Sequence, residues 1–331
     1  METSAIKKLG SFETSETKGN GFIGGLQLMK MKIGVLMGGI SSEREISLKS
    51  GEGIVSNLDN EKYEIIPIVI DSKEDVFTKC RGIDFALNVL HGEFGEDGEV
   101  QAILSAMGIP YSGCGVASSA LALDKDMTKK VLQWAGIRTA DWVMVADIDD
   151  INFDAIEKIG YPVFVKPNNG GSSVATHLVK KKEQLIPAIV DALKYDKLAM
   201  VEEYIKGDEI STPVIDGKIY PVMAIKPKGE FFDITAKYVV GECDEFVIEL
   251  ESPLKEEVEQ MLIDTWRELK LEGYARIDML IRDKVPYLLE VNTLPGMTPT
   301  SLMPQSWQSL GLTYQELLTT MIEVSLKARQ V

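Results

Sequence analysis

The stretch "GYARIDMLIRDKVPYLLEVNTLPGMTPTS" constrains the fold most, because it reads as two strands joined by a reversal that decides which side chains meet. Tyr274 to Ile281 and Val285 to Val291 are rich in β-branched and apolar residues, and Arg282, Asp283 and Lys284 between them form a polar turn. Pairing the strands sets Asp278 opposite Glu290. Two-residue alternation puts Asn292 on the face of Glu290 and Arg276 on that of Asp278. Two carboxylates and an amide are the hard oxygen donors that Mg²⁺ takes when it shares a phosphate. Burying them beside a guanidinium without a ligand would be costly, which points to a metal and an anion. The alternative is a solvated ion-pair face on an edge hairpin, and the hairpin alone leaves both readings open.

A chain of 331 residues is long for one core and suits two or three domains. Its 45% hydrophobic and 26% charged content is that of an ordinary globular protein, so disorder is expected only locally. The formal charge of −16, from 51 acidic and 35 basic side chains, repels polyanions and argues against duplex nucleic acid and anionic membranes as partners. An anionic nucleotide would need a locally basic pocket. Cys80, Cys114 and Cys243 are far apart and form no CxxC pair, which argues against a disulfide framework or zinc site and fits a reducing cytoplasm. No apolar run is long enough to span a bilayer and no secretory pattern opens the chain, so neither secretion nor membrane insertion is expected. Residues 1–30 show neither helical nor strand period and read as a disordered or non-native extension.

From residue 31 the pattern alternates. Lys32 to Met37, Tyr63 to Ile70 and Phe85 to Leu90 read as buried strands, with helices over Ser42 to Leu58 and Gly98 to Met107. Alternation of this kind implies a parallel α/β unit over 31–113, with functional loops at the carboxyl ends of its strands, where Gly39, Glu43 and His91 lie. A small central α+β unit over 114–200 opens with one long helix from Ala117 to Trp134. Strands at Trp142 to Val145 and Val163 to Lys166 and helices near Asn152 to Ile159 and Lys182 to Leu193 follow. The third unit, 201–331, has strands around a Gly207 turn and a strand over Lys218 to Lys226. A long loop over 227–247 reads as a lid, and helices follow over Pro253 to Leu271, Ser301 to Leu310 and Tyr314 to Ala328.

Between two strands, "GGSS" at Gly170 to Ser173 would fold over a phosphate with its backbone N–H groups, with Lys166 and Lys125 nearby. Alone, such a turn is more often a plain hairpin. GxxxxGK[ST] is absent, and no GxGxxG follows the first strand, which leaves the P-loop and dinucleotide readings little support. Glu202, Glu203 and Glu209 would bind ribose hydroxyls or an exocyclic amine, or form an exposed acidic edge. His91 in "LHGEFGEDG" suits a ligand or proton-handling role, whereas His177 within a strand is assigned to structure.

Taken together, "GGISSEREISLKSG", "LHGEFGEDG", "VKPNNGGSSV", "AKY", "ARIDML" and "LLEVNTLPGMTPTSL" resemble the D-alanine:D-alanine ligases of the ATP-grasp superfamily, in order over residues 31 to 331. The resemblance implies ATP held between the central and C-terminal domains. It also implies the reaction of ATP with two D-alanines to give D-alanyl-D-alanine, ADP and phosphate, for peptidoglycan precursor synthesis in a bacterial cytoplasm. The first D-alanine would become an acyl phosphate that the amine of the second attacks. The family pattern assigns two Mg²⁺ (or Mn²⁺) to Asp278, Glu290 and Asn292, and ATP phosphates to Lys125, Lys166 and Lys237. Glu202 and Glu209 match positions near adenine and ribose. Arg276 and the Gly296 N–H match an oxyanion hole. Glu43, with His91 close by, matches the acid that binds the first ammonium; Ser172 and Tyr238 match its partners in a triad that shuts the lid. Ser301 and Leu302 match the loop for the second carboxylate. Gly170 and Glu203 depart from the pattern, standing where many members carry an acid and a lysine. Relatives of this kind are commonly dimers, so a homodimer is expected.

A D-alanine:D-lactate ligase is the nearest rival, and the "KY" pair with Tyr238 argues against it. A catalytically silent nucleotide binder would have no need of Arg276, Asp278, Glu290 and Asn292 together.

Overall fold

The computed structural model describes residues 30–171, 173–227 and 243–330. Strands β1 (Met31–Gly38), β2 (Tyr63–Ile70) and β3 (Phe85–Asn88) form a parallel sheet in the order β2-β1-β3. Helix α1 (Arg44–Asn57) links the first two and α2 (Lys73–Lys79), absent from the sequence reading, the next; α3 (Glu99–Ala106) follows. Apolar residues run almost unbroken through β1 because both faces of a parallel sheet are covered.

The long helix expected over Ala117 to Trp134 is two helices, α4 (Val116–Leu123) and α5 (Lys125–Trp134). Asp124 between them is extended, and its carboxylate accepts from Met127 N at 3.0 Å, capping the second helix. Asn168 locks the break: its Nδ2 donates to Asp124 Oδ1 at 2.8 Å and its Oδ1 accepts from Asp126 N at 2.9 Å. The break puts Lys125 on the first turn of α5.

The central sheet is antiparallel, β4 (Trp142–Val145), β5 (Val163–Pro167), β6 (His177–Val179) and β7 (Ala199–Glu203) in the order β4-β7-β5-β6, with α6 (Phe153–Ile159) and α7 (Leu185–Ala192) packed on it. A 3-10 turn over Lys182–Gln184 replaces the start of the helix expected there. His177 meets Asp191 at 2.8 Å, the structural role expected of it.

The third sheet holds β8 (Asp208–Ile215), β9 (Lys218–Ile219), β10 (Val222–Pro227), β11 (Cys243–Ile248), β12 (Tyr274–Arg282) and β13 (Val285–Asn292), in the order β11-β10-β8-β12-β13 with β9 beside β8. The strands flanking Gly207 do not pair, because β7 belongs to the central sheet and β8 to the third. A Cβ on Gly207 would stand 2.3 Å from the Ile281 carbonyl oxygen, so the chain crosses between sheets pressed against β12. The end of the expected 227–247 loop is strand β11; residues 228–242 lie outside the described residues. Arg282 pairs with Val285, so the hairpin turn is two residues, Asp283 and Lys284, both left-handed at φ 53° and 63°.

Helices α8 (Leu254–Glu268), α9 (Leu302–Gln308) and α10 (Tyr314–Ala328) complete the fold. The last packs on α9 and also reaches back to the start of the chain. Leu317, Leu318, Met321 and Ile322 share a core with Ile33, Val35, Phe85 and Leu87 of the first sheet. Among the described residues no helix is long and apolar enough to cross a membrane.

Candidate active site

The hairpin register is the one alternation requires: Asp278 faces Glu290 and Arg276 faces Asn292, with a shift in pairing immediately after Asp278. On its other side Asp278 faces Ser211 of β8. Its carboxylate is buried and takes four hydrogen bonds: from Ser211 Oγ at 2.5 Å, from Arg276 Nε at 3.0 Å and Nη2 at 2.7 Å, and from Asn292 Nδ2 at 2.9 Å. The solvated-edge alternative therefore fails. Burial works against the charge on Arg276, but Asp278 foremost, with Glu290 and Glu209, outweighs it and holds the guanidinium protonated. Two of its nitrogens are spent on Asp278, and the residue borders the second of the cavities described below.

Asp278, Glu290 and Asn292 suit Mg²⁺ in donor chemistry, two carboxylates and an amide oxygen on one face. No group of three His, Cys, Asp or Glu among the described residues would hold a metal alone. A hard cation here needs further oxygens from a phosphate or water, which is how Mg²⁺ usually binds nucleotides.

The glycine turn lies between the paired strands β5 and β6, and Lys125 Nζ donates to the Gly170 carbonyl. Beneath it Glu202 of β7 is clasped by two lysines, Lys166 Nζ at 2.5 Å from Oε2 and Lys129 Nζ at 2.6 Å from Oε1. Lys129 also donates to Thr139 Oγ1 at 2.7 Å and to the Ala140 carbonyl at 3.0 Å, and lies 5.2 Å from the centre of the Trp142 ring. Burial would lift the Glu202 pKa, but the two ammonium groups outweigh it and hold the carboxyl at about 2. For Lys129 burial wins over the attraction of Glu202, and its pKa falls. Glu202 is thus a buried counter-ion and no exposed edge. Glu203 pairs with Arg282 at 2.6 Å, and Arg282 lies over Tyr287.

Lys125, Lys166, Gly170, Glu202, Glu209 and Glu290 border a cavity of about 470 Å³. A second cavity, about 380 Å³, is bordered by Glu43, His91, Arg276, Gly296, Ser301 and Leu302. Lys125, Gly170, Gly171 and Glu290 belong to both walls, so the two spaces adjoin there. Glu43, just ahead of α1, fits between two glycines: a Cβ on Gly92 or on Gly171 would stand 2.8 Å from its Oε2. A Cβ on Gly296 would press on Ser301 Oγ at 3.0 Å.

His91 is buried, and its Nε2 has no hydrogen-bond partner among the described residues. Burial lowers its pKa despite the charge of Glu43, so the ring is neutral. Beside it Glu96 accepts from Gly92 N at 2.6 Å, and burial, then Glu43, pushes its pKa to about 8.

Of the residues singled out in the sequence, Glu43, His91, Lys125, Lys166, Glu202, Glu209, Arg276, Glu290, Asn292, Gly296, Ser301 and Leu302 come together around these two spaces, and Asp278 borders neither, lying buried behind Arg276 and Asn292. Ser172, Lys237 and Tyr238 lie outside the described residues. Sequence reasoning missed Glu96, Lys129, Ser211 and Glu245. Glu96 stands inside a motif already noticed, but nothing local tells which of its three acids borders the cavity.

Family models described as D-ala D-ala ligase N-terminus and C-terminus match residues 32–79 with 73–114 and residues 125–323. The chain is 59% identical over 300 residues to D-alanine–D-alanine ligase from Clostridium perfringens strain SM101, covering 91% of this chain and 100% of that protein. Over 300 residues it is 57% identical to the ligase of the same name from Clostridium botulinum strain Hall. The crystal structure of the Bacillus anthracis ligase complexed with ATP superposes with a TM-score of 0.83 at 44% identity, over 91% of this chain and 99% of that one. A D-Ala:D-Ser ligase from Enterococcus faecalis gives 0.76 at 28% identity, over 90% and 100%. With both family models matched over a site built in this way, the chain belongs to the D-alanine–D-alanine ligase family.

Proposed function

We propose that this chain joins two D-alanines at the expense of ATP through an acyl phosphate, for peptidoglycan precursor synthesis. The carrying observation is the shared wall of the two cavities, Lys125, Gly170, Gly171 and Glu290, across which a nucleotide's terminal phosphate and an amino acid's carboxylate can meet. Lys125 and Lys166, with Lys237, bind phosphate oxygens, and Glu202 and Glu209 border the nucleotide. Glu43 holds the first D-alanine by its ammonium, with neutral His91 beside it, and Ser172 and Tyr238 complete the closed site. The carboxylate of that D-alanine takes the γ-phosphoryl group and ADP departs. The second D-alanine, seated against Ser301 and Leu302, gives up one ammonium proton to water, and its free amine then attacks the activated carbonyl. Arg276 and the Gly296 N–H hold the negative oxygen of the tetrahedral adduct until phosphate leaves and the nitrogen loses its extra proton. Two Mg²⁺ (or Mn²⁺), held by Asp278, Glu290 and Asn292, would neutralise phosphate charge.

The same reading proposes three domains, 31–113, 114–200 and 201–331, a homodimer, a cytoplasmic location, and no nucleic-acid or membrane partner, in keeping with the charge of −16. The test is Mg²⁺-dependent phosphate release from ATP with D-alanine, the product identified by mass. A dipeptide is expected; release without dipeptide, or no release, overturns the reading. Sedimentation of the chain tests the dimer.

A further inference from the structure

The second cavity has acids on two different parts of the fold. Glu43 and Glu96 come from the first parallel unit, whereas Glu245 comes from β11 at the far edge of the third sheet. Register decides where Glu245 points. It faces Ile225, which faces Glu209, and this row lies two positions from Val247, Met223, Ser211 and Asp278. Residues two apart on a strand share a face, so Glu245 stands on the face that carries Asp278.

Its carboxylate is also anchored. Gln305 Nε2 of α9 donates to Glu245 Oε2 at 2.7 Å and to the Thr300 carbonyl at 2.6 Å, tying the acid to the loop that runs from Gly296 to Ser301. Ser301 Oγ in turn accepts from Thr298 N at 3.1 Å. Glu245 is half-buried, and burial raises its pKa, with the hydrogen bond from Gln305 and then the charge of Arg276 pulling the other way. A half-buried carboxylate at the end of a substrate cavity, on the wall with Ser301 and Leu302, has no part in the mechanism described above.

Each amino acid enters the site as a zwitterion, and a cavity that binds two of them has two ammonium groups to satisfy. Glu43 answers one. We propose that Glu245 answers the other, reading the ammonium of the second amino acid and making the pocket prefer an amino acid over a hydroxy acid as acceptor. A hydroxy-acid anion brings a carboxylate and no compensating cation, so Glu245 repels it, while a zwitterion pairs its positive end with the same group.

The inference rests on the ligase reading, so dipeptide formation by the unaltered chain is established first; its failure would strike that reading and not this one. Glu245→Gln keeps the shape and the contact with Gln305 and removes the charge. Expected is a rise of about tenfold in KM for the second D-alanine, with KM for ATP and for the first D-alanine within about twofold, as for loss of one charged hydrogen bond. With D-alanine and D-lactate in competition, the depsipeptide share of product should rise by about tenfold for the same reason. Glu245→Asp, which restores the charge, should recover the preference for D-alanine. An unchanged second KM and product ratio, equal losses at both amino-acid positions and at ATP, or an aspartate variant as indifferent to acceptor as the glutamine one, each overturns the proposal.

Discussion

Asp278 is satisfied four times over, by Ser211, by two nitrogens of Arg276 and by Asn292, and each of its oxygens accepts twice, so removing Arg276 leaves a buried carboxylate with one donor per oxygen and no counter-charge. Arg276→Ala is therefore expected to do two things. Turnover should fall by about 10²–10³-fold from loss of a transition-state donor, while calorimetric ATP affinity stays near that of the parent. Near-normal turnover would remove the oxyanion assignment. Glu202 carries a second prediction. Its pKa is about 2 against an ordinary 4.5, so its contribution to stability is fully present above about pH 4.5 and is lost as pH falls toward 2. Urea denaturation of Glu202→Gln should show a flatter acid limb than the parent over that window. Lys129→Met should cost about 3–5 kcal/mol by leaving the carboxylate with one lysine, and the double variant should be less damaged than the single. These residues also show what a sequence conceals. The pairing of Asp278 with Glu290 follows from a period of two and was legible. Lys129 was not, because its partners Glu202, Thr139 and Ala140 meet it only after α5 has packed on the central sheet.

At the scale of elements, the local rules worked where a strand or helix is stabilised by its own neighbours and failed where a tertiary contact decides. The strands of the hairpin and the helix from Tyr314 to Ala328 stand where periodicity puts them. Gly207 reads as a hairpin turn, yet it is a crossing point between sheets, since pairing depends on residues far along the chain. The break at Asp124 was hidden in a run of good helix formers, and it is the Asn168 side chain that holds it. Asp124→Ala should cost about 1 kcal/mol of stability as a lost cap. Because the break seats Lys125 against Gly170, the same change should raise KM for ATP; an unaltered KM would mean that the cap does not position that lysine. The two-residue turn invites the opposite experiment. Lys284 is left-handed at φ 63°, a conformation glycine adopts freely. Lys284→Gly should raise the midpoint of thermal unfolding, by roughly 0.5 kcal/mol of net stability once the looser unfolded chain is counted.

Across the whole molecule, the most consequential packing is that of α10 on the first sheet. Leu317 and Leu318 are fully buried in a core they share with Ile33 and Phe85. The join is reinforced where Gly113 N donates to Ser325 Oγ at 3.1 Å and Arg329 Nη2 donates to the Gly113 carbonyl at 2.7 Å. Leu318→Ala should cost about 2–5 kcal/mol, and hydrogen exchange should show β1 and β3 losing protection together with α10. If only the helix loosens, the two do not share a core in solution. Division of the sequence into consecutive units hides such a contact, because nothing in the composition of Tyr314 to Ala328 says which sheet it will cover. Synthesis gives the arrangement a further meaning. At about 5–20 residues per second, the first sheet leaves the ribosome many seconds before the helix that covers it. α1 covers part of its apolar face early; the rest must wait, exposed or shielded by a chaperone, until nearly the whole chain has been made.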